Sequence, residues 1–372
     1  MRIFSEEEEV AKVNFERPHC VLLGAGASLA AFPNGDRNGR KLPVMKNFVE
    51  TLGLESYLAK AGIEPPYDDF EAIYAQISSD PSLAVITQDI EKIIYDYFSE
   101  MKLPDHPTLY DHLVLSLREK DVIATFNWDP FLFQAMERNR HFAPMPRAYY
   151  LHGSVAIGIC HNCKIKSYAN MVCPECGEDF ENSKILYPVT EKNYTTDSFI
   201  SAEWAAFKRS LKSGYIFTIF GYGAPVSDIE AVKLLKDAWG TKDEKSLEEI
   251  EVIDILTGDE LSERWDDFIH THHYRTTNSF YTSLLARHPR RSCEALWECL
   301  MMLAPSDGIL YPEKADFAEL YSKLQKRIDA EGYNKRFKRD SQRAAFPLCV
   351  GLCEYGVMRK LGSGVGCPLS GR

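Results

Sequence analysis

The sequence predicts an α/β fold: a parallel sheet with an inserted helical layer, a small module built on four cysteines, and a C-terminal helical extension. Two observations predict the sheet. Short runs rich in strand-forming residues alternate with longer stretches of helical periodicity, which is typical of parallel strands joined by crossover helices. Each run also leads into glycine or a polar residue. The cysteine module is predicted by two closely spaced cysteine pairs.

Five strands are predicted, at residues 19–23, 121–125, 148–151, 215–220 and 250–253. In open α/β sheets, ligands bind outside the carboxyl ends of the strands. We therefore expect the five strand ends to converge on one crevice, and we expect that crevice to be the functional site.

The chain between the first two strands, about residues 45–120, is too long for a simple crossover and predicts the inserted helical layer. We expect residues 1–285 to form one domain around the sheet, with the cysteine module at about residues 157–185 inside it. Residues 286–372 are expected to form the helical extension, with a disordered tail rich in glycine and serine.

Composition limits the function classes. Of 372 residues, 45% are hydrophobic and 26% are charged, as in soluble globular proteins. The net charge of −11 excludes non-specific nucleic-acid binding through the overall field. No run reaches the roughly 18 apolar residues of a membrane helix, and the acidic N-terminus lacks the apolar core of a signal peptide. We expect a cytoplasmic protein.

The first strand runs directly into a turn of small residues, which are Gly24, Ala25, Gly26, Ala27 and Ser28. Small residues let the backbone approach a pyrophosphate, whose charge is favoured at the N-terminus of the helix that follows. Ser28 is expected to donate its hydroxyl to a phosphate or to cap the helix. The alternative is a tight strand-to-helix turn that binds no ligand.

Two further strand ends carry side chains that are capable of catalysis. Asn127 and Asp129 follow the second strand, where they can hydrogen-bond a sugar or a water, although an Asx turn before Pro130 would look the same. His152 ends the third strand, where an imidazole suits general-base work on a hydroxyl or a water. The alternative for His152 is a structural histidine.

The four cysteines of the module form two CxxC pairs, Cys160 with Cys163 and Cys173 with Cys176. In a reducing compartment, two such pairs predict a tetrahedral Zn²⁺ site. Because four thiolates fill the coordination shell, we expect a structural rather than a catalytic zinc. A redox-active motif would need only one pair. Histidines at 270, 272 and 273 lie near acidic residues and predict a solvated loop rather than a second metal site.

Taken in order, these motifs resemble the sirtuin (Sir2) superfamily. The chain has GAGAS at 24–28, TFNWD at 125–129 where sirtuins have T-Q-N-I-D, then His152-Gly153 and the two CxxC pairs. The resemblance covers about residues 18–260. It implies a Rossmann-like domain that binds NAD⁺, with a small zinc module inserted into it.

The resemblance also implies roles for individual residues. Those expected to bind NAD⁺ are Gly24, Ala25, Gly26, Ser28, Asn127, Gly221 and Asp254. Those expected to carry the reaction are Asn127, Asp129 and His152. Asp254 stands near the adenine ribose, where sirtuins commonly have Asn.

Some segments depart from the pattern of protein deacylases. Deacylases have a G-T-S-L-x-V segment that pairs with the acyl-lysine peptide, whereas this chain has GYGAPVSD at 221–228, and Pro225 removes one backbone donor. The sirtuin G-I-P-D-F-R is absent, and FPNGDR stands at 32–37. The KLPVM segment at 41–45 resembles an element of Sir2-like bacterial defence effectors, as does the 220–228 segment.

The leading hypothesis is therefore an NAD⁺ glycohydrolase that forms nicotinamide and ADP-ribose and depletes NAD⁺ in antiphage defence. Such effectors act in oligomers or beside a partner such as a HerA-type DNA translocase or a short Argonaute, so a homo-oligomer and a defence partner are expected. Two alternatives stay open. One is an NAD-dependent protein-lysine deacetylase, and the other is a non-catalytic module that senses NAD or ADP-ribose.

Overall fold

The computed structural model of the 372-residue chain describes residues 16–188, 194–224, 228–241, 243–245, 247–256, 260–261, 265, 273–302, 311 and 313–341. Its strands are β1 (His19–Leu23), β2 (Val122–Thr125), β3 (Arg147–Tyr150), β4 (Ile157–Cys160), β5 (Ile165–Tyr168), β6 (Glu181–Asn182), β7 (Ile216–Phe220), β8 (Glu249–Ile253) and β9 (His273–Thr277).

The helices of the described residues alternate with the strands of the main sheet. They are α1 (Ala25–Ala31), α2 (Phe48–Leu52), α3 (Glu55–Lys60), α4 (Phe70–Ser79), α5 (Ala84–Ser99), α6 (Leu109–Ser116), α7 (Phe131–Asn139), α8 (Ser198–Ser213), α9 (Ile229–Trp239), α10 (Leu284–Arg287), α11 (Ser292–Met302) and α12 (Phe317–Ser341). Short 3₁₀ turns lie at Met45–Asn47, Pro81–Leu83 and Phe280–Thr282. None of the described helices is both long and apolar enough to cross a membrane.

Six strands form one parallel sheet in the order β3-β2-β1-β7-β8-β9, which confirms the predicted α/β fold. The chain builds β1, β2 and β3 outward to one side and then returns to place β7 against the other side of β1. This reversal is a topological switch point, and the crevice outside the carboxyl ends of β1 and β7 is where doubly wound sheets bind ligands.

One strand of this sheet, β9, is missing from the predicted five. Strands β1, β2, β7 and β8 are buried along their whole length. The first three are mostly apolar runs, as is typical of parallel strands buried on both faces, while β8 also carries the buried Glu249 and Glu251. In contrast, β9 is an edge strand with the sequence HYRTT, and most of its side chains are exposed or half-buried. His273 therefore lies in a strand and not in the predicted loop, while positions 270 and 272 lie outside the described residues.

Three glycines hold the ends of β1 and β7 against each other. The backbone N–H of Gly24 donates to Phe220 O, and that of Gly26 donates to Gly221 O, both at 2.9 Å. A Cβ on Gly24 would lie 2.5 Å from Gly221 O, and one on Gly26 would lie 2.7 Å from the Cα of Gly221. Gly221 has φ +63° and would clash with the backbone of Gly26 and Ala27. Contact between two backbones thus explains these glycines without a ligand.

The predicted helical layer between β1 and β2 is present as α2 to α6. It buries aromatic and aliphatic side chains against the sheet, among them Phe48, Phe70, Ile90 and Ile94. Helix α6 is buried at every position from Leu109 to Ser116, because it lies between the sheet and the later helices. It is therefore a central element of the fold.

The described part of the predicted extension packs on this same core. Leu320 and Leu324 of α12 are fully buried in the core cluster that contains the strands of the sheet. The guanidinium of Arg290 donates to both carboxylate oxygens of Glu331, at 2.6 and 2.8 Å, and to Leu117 O at 2.8 Å. These contacts join α12 to the end of α6. The boundary at residue 286 stays a prediction, and the predicted disordered tail at residues 362–372 lies outside the described residues.

The close contact at the switch point predicts that Gly221→Ala destabilises the fold by more than backbone strain alone. Gly53 provides the control, because its φ of +68° matches that of Gly221 while no atom lies within 4 Å of its Cβ position. We expect Gly53→Ala to cost about 1–2 kcal/mol for the left-handed conformation, and Gly221→Ala to cost about 1–3 kcal/mol more for the overlap. Urea unfolding measures both, and equal costs would contradict the interpretation.

Candidate active site

A cluster of four hydrogen-bonded side chains lies behind the switch point. Asn127 and Asp129 come from the end of β2, Ser28 from α1, and Tyr110 from α6. The amide nitrogen of Asn127 donates to Gly24 O and to Ser28 Oγ, both at 2.9 Å. Ser28 Oγ lies 2.7 Å from both Asp129 Oδ2 and the Tyr110 hydroxyl. The predicted residues 28, 127 and 129 are thus brought into direct contact.

The hydroxyl of Ser28 is fully used inside this cluster. A serine hydroxyl has one hydrogen and two lone pairs. Ser28 donates its hydrogen to Asp129 and accepts hydrogens from Asn127 and Tyr110. The side chain is 1% exposed. Ser28 does not cap α1, and its hydroxyl positions Asn127 and Asp129, while its expected role toward a phosphate stays a prediction.

The hydrogen bonds of Asn127 to the described residues use its N–H groups. Both hydrogens of its amide nitrogen point inward, to Gly24 O and Ser28 Oγ, and its backbone N–H donates to Thr125 Oγ1 at 3.0 Å. Among the described residues, no hydrogen bond reaches the amide oxygen Oδ1. Since the inward bonds fix the orientation of the amide, Asn127 acts toward any ligand as a hydrogen-bond acceptor.

Asp129 is buried, and its environment favours the neutral acid. Burial raises the pKa of Asp129 from 3.8 to about 6, although hydrogen bonds from the Ser28 hydroxyl and the backbone N–H of Phe131 act in the opposite direction. The Phe131 N–H is 3.2 Å from Oδ1, at the first residue of α7. Asp129 therefore joins α1, β2 and α7, and it changes charge close to neutral pH.

His152 lies at the carboxyl end of β3 among aromatic rings. The centroid of its ring is 4.4 Å from that of Phe126 and 5.7 Å from that of Tyr194, whose plane is within 10° of parallel. The Tyr194 hydroxyl lies 3.3 Å from His152 Nε2. Burial raises the pKa of Tyr194 above its ordinary value, so this hydroxyl stays protonated. The imidazole is thus held by stacking and by a polar contact.

The two aromatic residues of the TFNWD segment, Phe126 and Trp128, pack against different parts of the protein. Phe126 contacts His152 and also Tyr222, at a centroid distance of 4.6 Å, and so it separates the β3 end from the β7 end. Trp128 packs edge-on against Phe98, at a centroid distance of 5.8 Å. Phe126 therefore belongs to the surroundings of His152, whereas Trp128 belongs to the helical layer.

The outer strand end places Asp254 apart from this cluster. Its backbone N–H donates to Thr277 O at 3.0 Å, and its Oδ1 accepts from Leu256 N–H at 3.0 Å. No hydrogen bond between described residues joins Asp254 to the cluster around Asn127. Because β7 and β1 lie between β8 and β2, a ligand that touches both Asp254 and Asn127 must extend across the switch point.

The four cysteines form one compact group at the tip of an antiparallel sheet of order β5-β4-β6. Their sulfur atoms all lie within 4.8 Å of one another, where a tetrahedral Zn²⁺ with 2.3 Å bonds needs separations of about 3.8 Å. The residue after each CxxC pair has a positive φ, 53° at Lys164 and 77° at Gly177, which turns each pair back toward the other. The donor set and the geometry fit a structural zinc.

The cysteine module is anchored directly beside His152. Gly153 has φ +77°, and a Cβ there would clash with Lys184 O on the segment that leaves the module. The same segment donates from Leu186 N–H to His152 O at 3.0 Å. Ser183 Oγ donates to Ser154 O at 2.8 Å. The backbone of the histidine is therefore paired with the exit of the module.

Two residues of the site were not predicted from the sequence. Tyr110 and Tyr194 lie in a buried helix and in the segment before α8, and neither belongs to a recognisable motif. Tyr110 is flanked by the apolar Leu109 and Leu113, so the pattern reads as an ordinary amphipathic helix. The sequence offers no signal that separates these tyrosines from other core aromatics.

Comparison with known proteins found no matching family model and no matching curated protein. Among solved structures, a Sir2 homologue in complex with NAD has 12% identity and a TM-score of 0.37, over 80% of this chain and 96% of that chain. A mutant Sir2 homologue in complex with ADP-ribose has 12% identity and a TM-score of 0.36, over 80% of this chain and 98% of that chain. A structure from work on the mechanism and regulation of Sir2 enzymes has 14% identity and a TM-score of 0.35, over 81% of this chain and 99% of that chain.

These matching structures are Sir2 proteins. The sequence motifs that resemble this superfamily, from the glycine turn to the two cysteine pairs, occupy the ends of β1, β2 and β3 and the module that follows.

The buried carboxyl of Asp129 predicts a measurable pH dependence. Its pKa is about 6 in the folded protein against 3.8 as the ordinary value, so the folded state binds more protons between pH 4 and pH 6 and loses stability as the pH rises through that window. Asp129→Asn removes this loss. We expect the stability of the wild type relative to the variant to fall by about 3 kcal/mol from pH 4 to pH 7. Urea unfolding across this range is the measurement, and a constant difference would refute the assignment.

Proposed function

We propose that this chain is an NAD⁺ glycohydrolase of the Sir2 type, which cleaves NAD⁺ to nicotinamide and ADP-ribose at the switch point of its sheet. One observation carries the proposal. Ser28 and Gly24 orient the amide of Asn127 at the end of β2, beside the switch point of a doubly wound sheet, and among the described residues its amide oxygen has no hydrogen-bond partner. An acceptor in this position suits a hydroxyl group of a sugar or a water molecule.

The chemistry assigns a task to each group. Cleavage of the bond between nicotinamide and ribose develops positive charge on the ribose, and water then adds to the same carbon. In the proposal, Asn127 Oδ1 accepts a hydrogen from the attacking water or from a ribose hydroxyl. His152 takes the proton that the water loses. Asp129 keeps Ser28 and hence Asn127 in place, and Tyr194 orients the imidazole of His152.

The strand ends are assigned to the parts of NAD⁺ in the order of the sheet. The nicotinamide ribose lies toward Asn127 and His152, the pyrophosphate toward the turn at residues 24–28 and Gly221, and the adenine ribose toward Asp254. The order of the strands supports this assignment, because β3 and β2 lie on one side of the switch point and β8 on the other.

A protein-lysine deacetylase is the second candidate, and the cysteine module favours it because many zinc-bearing sirtuins are deacylases. The 221–228 segment argues against it. Pro225 has no backbone N–H, so the segment lacks a donor that a paired substrate peptide would use. Pro225 itself lies outside the described residues, and the argument rests on its chemistry alone. A non-catalytic sensor is the third candidate, and the presence of both Asn127 and His152 disfavours it.

The proposal extends to antiphage defence in the cytoplasm, in which depletion of NAD⁺ stops an infected cell. It rests on the resemblance of residues 41–45 and 220–228 to defence effectors. A homo-oligomer and a partner such as a HerA-type translocase are part of it. Expression of the chain during phage infection, with cellular NAD⁺ measured over time, tests this extension.

The proposed reaction predicts that His152→Ala and Asn127→Ala each lower the rate of NAD⁺ loss by at least about 100-fold, because each removes a group that acts on the reacting water or ribose. Purified protein is incubated with NAD⁺ alone, and nicotinamide and ADP-ribose are resolved by chromatography. His106→Ala serves as the control, since this exposed histidine lies in the loop before α6. Full activity in both site variants would refute the assignment.

The same assay separates the candidates. A glycohydrolase releases nicotinamide without any peptide. A deacetylase releases it only when an acetyl-lysine peptide is present. A sensor binds NAD⁺ in calorimetry without turnover under either condition.

The cysteine group predicts one structural Zn²⁺ per chain, held by the four thiolates of the two CxxC pairs. We expect Cys173→Ser to lose the metal and to unfold at a lower temperature, because metal binding contributes to the stability of such modules. Cys299→Ser is the matched control, since this cysteine is in α11 and outside the group. Metal analysis by mass spectrometry gives the stoichiometry, and full zinc content in Cys173→Ser would contradict the site.

A further inference from the structure

A buried ion pair joins the cysteine module to the main domain. Lys166 is on β5 of the module, and Glu203 is on α8. The Lys166 ammonium lies 2.7 Å from each carboxylate oxygen of Glu203, and both side chains are nearly inaccessible, at 5% and 2% exposure. The rings of Tyr149, Tyr150 and Phe199 surround the ammonium at centroid distances of 5.4, 5.5 and 5.8 Å.

This pair occupies the free edge of the main sheet. Strand β3 is the last strand on its side, so alternate backbone groups of β3 have no neighbouring strand. The ammonium of Lys166 donates to Ala148 O at 2.9 Å, and Tyr150 N–H donates to Glu203 Oε2 at 2.8 Å. An acidic and a basic side chain thus satisfy the acceptor and the donor that a seventh strand would otherwise pair.

The position of the pair connects two sites. Tyr150 is two residues before His152, and its N–H is held by Glu203. In the other direction, Lys166 is three residues after Cys163, on the strand that leaves the first CxxC pair. The segment that follows β3 and carries the imidazole is therefore linked through one ammonium group to β5, which begins two residues after Cys163, a predicted zinc ligand.

A buried ion pair gives little net stability over an apolar pair, but loss of one partner leaves an uncompensated charge. The pair is therefore poorly explained as a source of stability alone. It is better explained by the geometry that it enforces, since its bonds hold two backbone groups at the end of β3.

We infer that Lys166, through Glu203, is a positioning residue for His152, and that it couples occupancy of the cysteine site to the geometry of the reaction. The inference rests on the proposed function. When the module is held together by its metal, β5 keeps the ammonium against Ala148 O and Glu203. When the module loosens, the ammonium leaves, the edge of β3 loses its partners, and the imidazole loses its fixed place.

The test uses the full-length, zinc-loaded protein with Lys166→Met and with the double variant Lys166→Met/Glu203→Gln. The double variant removes both charges, so no buried charge is left unpaired, and the glutamine keeps an acceptor for Tyr150 N–H. Lys92→Met is the control, because Lys92 forms an exposed ion pair with Asp96 on α5. Thermal unfolding reports stability for each protein.

In the double variant we expect near-native stability, a kcat for NAD⁺ lowered about 10- to 100-fold and a KM changed less than about twofold, because the bound substrate is intact and the base is displaced. Zinc affinity, measured by equilibrium competition with a chromogenic chelator, should be lower than in the wild type, since coupling between two sites is reciprocal in binding free energy. Lys92→Met should match the wild type in stability, kinetics and zinc affinity. A double variant with wild-type kcat and wild-type zinc affinity would overturn the inference.

A readout without NAD⁺ separates this inference from the proposed function. The side-chain nitrogen signals of His152 are recorded in protein labelled with ¹⁵N-histidine and identified by their loss in His152→Asn. Displaced His152 signals in the double variant and after chelation support the positioning role even if the wild type does not hydrolyse NAD⁺. Unchanged signals in both samples overturn it.

Discussion

The close approach of the β1 and β7 ends is the constraint on which the rest of the site depends. Gly24, Gly26 and Gly221 allow two backbones to touch at the point where the strand order reverses. That contact fixes Gly24 O, which in turn accepts a hydrogen from Asn127. The close contact between the two backbones thus helps to orient the side chain of Asn127, which follows the neighbouring strand β2. The fold itself therefore requires these glycines, independently of any ligand.

Around this contact, polar side chains are held in place because their hydrogen-bond donors and acceptors are occupied by one another. Ser28 has no hydrogen-bonding capacity left over, and the amide nitrogen of Asn127 is likewise occupied. Among the described residues, no hydrogen bond reaches the amide oxygen of Asn127. Burial raises the pKa of Asp129 to about 6, and the Ser28 hydroxyl and the Phe131 N–H are the donors to its carboxylate. The orientation of Ser28 and of the Asn127 amide is thus set by hydrogen bonds within the protein.

The sequence predicts the parts of this structure that rest on local pattern. Buried strands such as β1 and β7 are mostly apolar runs, and the two CxxC pairs have a characteristic spacing. The edge strand β9 was missed because it is polar and half-exposed, so neither apolar alternation nor burial marks it. Tyr110 and Lys166 were missed because their roles depend on contacts with residues far along the chain, Ser28 and Glu203. Hydrogen bonds between residues far apart in the chain produce no periodic pattern in the sequence.

The cysteine module leaves and rejoins the main domain at almost the same place. Ser154 and Ser183 are hydrogen-bonded to each other in both directions, so the ends of the excursion are closed by the protein itself. An insertion with adjacent ends can change in length during evolution without moving the strands that flank it. The sheet can therefore accommodate a change of this excursion, and Lys166 on β5 is a contact through which such a change would reach the edge of β3.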